Sequence, residues 1–147
     1  MKVLVTTPYV RIKIDEAARL LETEWLDFCN SAELRDALEQ ALDLGQRHAV
    51  RGWIGNNQWM RTIRPQDQDW INNQWFPRFA RLGVERLAVV VSADAFNRMG
   101  IDHIMSRATD HMPHETRYFD DPGAARLWAG FTEPDEINPT PAPGRAV

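Results

Sequence analysis

From Tyr9 to Ile14 the chain alternates: Val10, Ile12 and Ile14 point one way, and Tyr9, Arg11 and Lys13 point the other. A period of two marks a strand with one buried face. Residues 15–17 supply a turn, and the chain returns with Leu21, Thr23 and Trp25 inward, so Tyr9–Trp25 reads as an antiparallel hairpin. Val3–Thr6 offers a short extra strand. After Asn30 the period lengthens, and Leu34, Ala37, Leu38, Ala41 and Leu42 fall on one helical face. Asn30 and Glu33 form a predicted capping box, and Gly45 is placed to end the helix in a left-handed conformation. Residues 49–55 read as a short apolar strand whose glycines permit close packing.

Residues 65–83 predict a second helix, with Pro65 at its first position and Asp67 and Asp69 near the positive end of its dipole. Its buried stripe is Ile71, Trp75, Phe79 and Leu82, and Gly83 stops it. Pro77 stands inside this helix, where proline removes a hydrogen bond at a cost of about 3 kcal/mol. The expectation is a kink in which the Asn73 carbonyl loses its helical partner, read first as a bend that wraps the helix around the sheet and, as the alternative, as a polar site lined by the freed carbonyl and the Asn side chains. Residues 86–92 are a continuous β-branched run, expected as a central strand covered on both faces. A third helix follows with Ser92 as its cap, and Gly100 argues against its extension. Residues 115–121 read as a strand. Asp121 and Pro122 open a last helix, expected to dock through Leu127, Trp128 and Phe131.

The order β-β-α-β-α-β-α-β-α predicts an α/β fold: a mixed sheet of about five strands with four helices, an N-terminal hairpin feeding β-α units with parallel strands. Residues 1–131 suit one domain, and the proline-rich residues 132–147 are expected to be disordered. A net charge of −4 gives no basic field for nucleic acid or anionic membrane. No apolar run is long enough to insert into a membrane, and no secretory signal is visible. The single cysteine, Cys29, excludes an internal disulfide and fits a cytoplasmic location. Six Trp and six Phe are a heavy aromatic load, so rings dominate either the core or an interface.

The tetrapeptide Asn-Asn-Gln-Trp occurs twice, ending at Trp59 and at Trp75. The first copy follows a strand and the second lies in a helix, with no shared hydrophobic period, so the match is coincidence rather than a repeat. His103, His111 and His114 sit among acidic residues, but no pair has the i, i+4 spacing of a helical metal site, so a solvated loop is expected and no metal. Cys29 has no identifiable base beside it and reads as a small hydrophobe. No phosphate-binding glycine loop, nucleophile elbow or zinc-binding cysteine pair is present, so no cofactor and no catalytic residue is assigned. The middle helix carries more rings than one buried side holds. Trp59, Trp70, Asn73, Trp75, Phe76 and Arg78 are therefore the candidate interface or pocket residues, and at least one of Trp70 and Phe76 is expected to be partly exposed.

The segments Tyr9–Trp25, Val50–Asn57, Arg64–Met99 and Thr116–Phe131, above all the Asp67 to Arg78 helix followed by the Leu82–Val90 stretch, resemble a bacterial family of small SpoIIAA-like proteins within the STAS fold group. That resemblance implies the hairpin-plus-β-α architecture, no cofactor and a role in protein association. In anti-sigma factor antagonists of that group a serine in the turn after a central strand is phosphorylated. The corresponding turn, residues 55–67, has no serine and only Thr62 as a hydroxyl, so the switch is in doubt and Thr62 is its weak substitute. The leading expectation is a non-enzymatic cytoplasmic binding or regulatory module acting through protein association, self-association included. The alternative is a carrier of a small apolar ligand in a pocket beside the Trp-rich helix.

Overall fold

The computed structural model describes residues 1–108 and 112–131. The tail read as disordered, residues 132–147, and His111 of the histidine-rich segment lie outside the described residues. Six strands form one sheet in sequential order: β1 (Lys2–Thr6), β2 (Val10–Asp15), β3 (Leu20–Trp25), β4 (Gly52–Asn56), β5 (Arg86–Val90) and β6 (Glu115–Phe119). Neighbours among the first three pair antiparallel and the last four run parallel, as expected for a hairpin feeding β-α units. The sheet has six strands rather than about five, because the Val3–Thr6 segment does pair with β2 as an edge strand.

The hairpin register places Val10 opposite Trp25, Ile12 opposite Thr23 and Ile14 opposite Leu21. All six are buried on one face, which the alternation requires. Three helical segments cover that face: α1 (Ser31–Arg47), a composite helix, and α4 (Ala95–Ala108). The composite is α2 (Pro65–Trp70), a π-helical turn (Ile71–Trp75) and α3 (Phe76–Phe79). Strands that step in one direction with crossovers of one hand put every connecting helix on the same side. The last helix, α5 (Pro122–Ala129), covers the opposite face.

Several local expectations are corrected. Gly45 does not end α1, which continues to Arg47, and the reversal falls at Ala49 with φ of 48°. Gly45 instead lies under the Trp53 ring, where a Cβ would come within 2.9 Å of the indole. Ser92 does not cap α4. The Asp94 carboxylate accepts from the amides of Phe96 and Asn97, while the buried Ser92 hydroxyl donates to the Met60 carbonyl. Gly100 does not interrupt that helix, because its bare face receives the Gln68 side chain. Leu127 does not dock α5, being 88% exposed; Trp128 packs against the cluster as expected, Phe131 lies under Arg51 and Arg86, and the buried contact itself is made by Ala125 and Ala129. The backbone of α5 at Ala129 lies directly on Gly52. The disruption expected from Pro77 takes the form of the π turn immediately before α3, in which the Phe76 amide reaches back to the Ile71 carbonyl.

Beneath the composite helix Trp53, Trp75, Phe76 and Phe79 form a buried cluster. Trp75 stacks on Phe79 with centroids 5.0 Å apart, and Trp53 meets Phe79 edge-on at 5.1 Å. Such pairs contribute about 0.5–1.5 kcal/mol each beyond area burial. The Trp75 indole N–H donates to the Leu38 carbonyl at 2.9 Å, which fixes the ring against α1.

Candidate functional site: an apolar cavity under the π turn

On β4 the inward positions are Trp53 and then Gly55. Gly55 stands between Thr23 and Val89 in register, so a large ring is followed by a row of two small side chains flanking a bare position across the sheet. A Cβ at Gly55 would meet nothing within 4 Å, and the glycine is only half-buried although its strand is central. Above it the chain leaves a cavity of about 90 Å³. Trp25, Trp53 and Trp75 form its walls, Ile71 and Phe76 come from the composite helix, and Ile101, Ile104 and Met105 come from α4. Thr23 and Asn57 are the polar members of this lining. A single water needs about 10–15 Å³, and an engineered apolar cavity of about 150 Å³ in another protein stays dry and takes benzene. A space of about 90 Å³ lies between these, and Met60 and Met105 in its wall supply the adaptable side chains that admit a slightly larger occupant.

The cavity sits toward the carboxyl ends of the parallel strands, the end at which open α/β sheets bind ligands. A smaller polar recess of about 30 Å³ adjoins it, sharing Asn57, Val89 and Ile101 and lined further by Ser92, Asn97, Arg98, Asp102 and Tyr118.

The predicted site residues divide. Trp75 and Phe76 are buried and line the cavity. Trp70 is half-buried under the Arg35 guanidinium, 5.3 Å from its ring centroid, and so is the ring expected to stay partly exposed. Trp59 is 58% exposed in the loop after β4. Asn73 and Arg78 face away from the cavity. Asn73 is exposed and meets Arg107 at 3.5 Å, and the Arg78 guanidinium pairs with Glu39 across to α1 at 2.7 Å, holding that carboxyl below the usual carboxylate range. The polar site offered as the alternative reading of the kink does not form, because the π turn directs Asn72 back to the Gln68 carbonyl and Asn73 outward. Thr62 is exposed in the loop before α2.

Burial, reinforced by Glu33 and Asp27, pushes the Cys29 thiol up to about 12, far from a nucleophile's range. Among the described residues no group of three His, Cys, Asp or Glu side chains is placed to hold a metal ion. His114 packs edge-on against Phe79 at 5.4 Å, and burial lowers its pKa from the ordinary 6.5. A histidine with a lowered folded pKa contributes its full stabilising effect above about pH 6.5 and loses it as the pH falls, because only the unfolded chain then takes up the proton. Melting temperature is expected to decline from pH 7 to pH 5 more steeply in the native protein than in a His114→Gln variant. Parallel curves would show that His114 does not couple folding to pH.

Comparison with protein-family models, curated proteins and solved structures finds no match.

Proposed function

We propose that this protein binds a small apolar ligand in the cavity beneath the π turn and performs no chemistry on it. The observation that carries this reading is the open space over Gly55, walled by three indoles and partly open to solvent. Apolar, partly enclosed spaces with few polar groups are the usual form of small-molecule sites. The π turn strengthens the reading, since such single-turn bulges occur frequently at functional sites. The hairpin followed by β-α units also supports the SpoIIAA-like, STAS-fold assignment, which stands as part of the same proposal.

Benzene is a suitable first probe. It is expected to raise the melting temperature and to shift the methyl resonances of Met60 and Met105, which line the cavity. In Gly55→Val both responses are expected to disappear, while the unliganded melt rises by the equivalent of about 1 kcal/mol, because the valine fills the space and suits a strand better than glycine. Absence of binding to the native protein, or unchanged binding in the variant, would overturn the proposal. Native mass spectrometry of freshly purified protein checks in parallel for a retained ligand.

A second reading is association with a protein partner, self-association included. It rests on Trp59, Phe96 and Met99, which are 58%, 72% and 67% exposed in segments that follow the carboxyl ends of β4 and β5. Light scattering across a concentration series tests the self-association part, and a monomer throughout would remove it.

A further inference from the structure

The polar recess beside the cavity contains two side-chain groups whose hydrogen bonds are incomplete. Asn57 is 5% exposed and lines both the recess and the apolar cavity. Its backbone amide donates to the Val90 carbonyl and its own carbonyl accepts from the Met60 amide. Its carboxamide has no hydrogen-bond partner among the described residues. Asn97 is fully buried, and its Nδ2 donates to the Arg61 carbonyl at 2.8 Å. That bond fixes which end of the amide is which, since a carbonyl only accepts. The Asn97 Oδ1 is then an acceptor with no partner. A buried polar atom left unpaired is destabilising, so such an atom beside a cavity implies something that arrives to pair with it.

We propose that the ligand of the cavity is an apolar body carrying a neutral hydrogen-bond donor, a hydroxyl or an N–H, which enters the recess and is held by the Asn57 carboxamide and the Asn97 Oδ1. The inference rests on the cavity-binding reading above and adds the chemical class of the ligand. The apolar body occupies the Trp-walled space, and the head lies past Ile101, whose side chain lines both spaces. A neutral head fits better than a charged one. Arg98 and Asp102 both line the recess and offset each other, and Nη1 of Arg98 is already engaged by the carbonyls of Ser92 and Ala93 at 2.9 and 3.2 Å.

Phenol and toluene are a matched pair of probes: nearly the same shape, with a hydroxyl exchanged for a methyl. Partition into an apolar space alone favours toluene. A site with unpaired polar groups reverses that order, because the methyl leaves them unpaired. Titrations followed through the Met60 and Met105 methyl resonances are expected to give phenol at least a tenfold lower Kd than toluene. Anisole, which keeps the oxygen and loses the donor, is expected to bind no tighter than toluene. Asn57→Ala removes a side chain that makes no hydrogen bond in the fold, so its melt is expected to hold while the preference for phenol collapses to less than threefold.

Toluene binding as tightly as phenol would overturn the inference, as would a recess that simply retains a water, and in either case the cavity reading survives. A phenol preference unchanged in Asn57→Ala would equally overturn the assignment of the head to that residue. Failure of all three probes to shift either methyl would bring down both the inference and the reading beneath it.

Discussion

Gly52→Ala is expected to lower the melting temperature by about 10 °C, equivalent to roughly 3 kcal/mol in a chain of this size. A Cβ built at Gly52 lies 2.0 Å from the Ala129 carbonyl oxygen and 3.0 Å from a Leu20 methyl. The obstacle is backbone at the end of α5, so no rotamer change relieves it. The helix must lift, which loosens Ala125 and Ala129 from Ile54, Ala88 and Val90. It also strains two bonds that tie down the same end, Arg86 to the Trp128 carbonyl at 2.9 Å and the Phe131 amide to the Ala18 carbonyl at 2.7 Å. Gly55→Ala is the internal control, three residues along the same strand and facing open space. A calorimetric melt is expected to show opposite signs for the two glycines. A loss of less than about 3 °C at Gly52 would mean that α5 is held far more loosely than its contacts imply.

Arg126→Met is expected to cost about 3 kcal/mol at neutral pH. Glu22 is fully buried between the sheet and α5, where it accepts from Arg126 Nε at 2.8 Å and Nη2 at 3.1 Å and from the Asn56 amide at 3.0 Å. Removing the arginine keeps an apolar stem and strands a carboxylate in the interior, with one neutral donor left. The arginine side chain is 37% exposed, so solvent reaches the vacated position and the cost falls at the lower end of the range for broken buried pairs. In Glu22→Gln/Arg126→Met no ion remains, and most of the lost stability is expected to return. Denaturant unfolding of the two singles and the double forms the cycle. Additive losses would show that the two side chains act independently.

The parts of the fold that local chemistry specifies were legible in the residues. The hairpin follows from alternation, and Asn30 and Asp121 announce their helices because each oxygen meets an amide three residues on. What was illegible depends on partners remote in the chain. Leu127 is apolar and on a helix, yet the close approach of α5 is set at Gly52, 75 positions earlier by residue number, where the Ala129 backbone rests. Gly45 carries the local mark of a helix end, yet the ring of Trp53 needs its bare face. The cavity is hardest to foresee, because it is made by what is missing. The available signal was Gly55 at the next inward position, two residues after Trp53, opposite a helix interrupted by Pro77. The aromatic excess pointed to the right helix, but its rings line a hollow as well as a surface.

Sequential strand order lets each new segment settle beside the one made just before it, so the growing chain can assemble progressively from its amino end. One flank of the sheet escapes this economy. Ile54, Ala88 and Val90 wait for the final helix, and the pairing of Glu22 with Arg126 spans 104 positions. Until synthesis reaches that point, a bare aliphatic strip and an unmatched acid face the surroundings together. A chain cut before Pro122 would hold all six strands with one side of the sheet left bare and sticky.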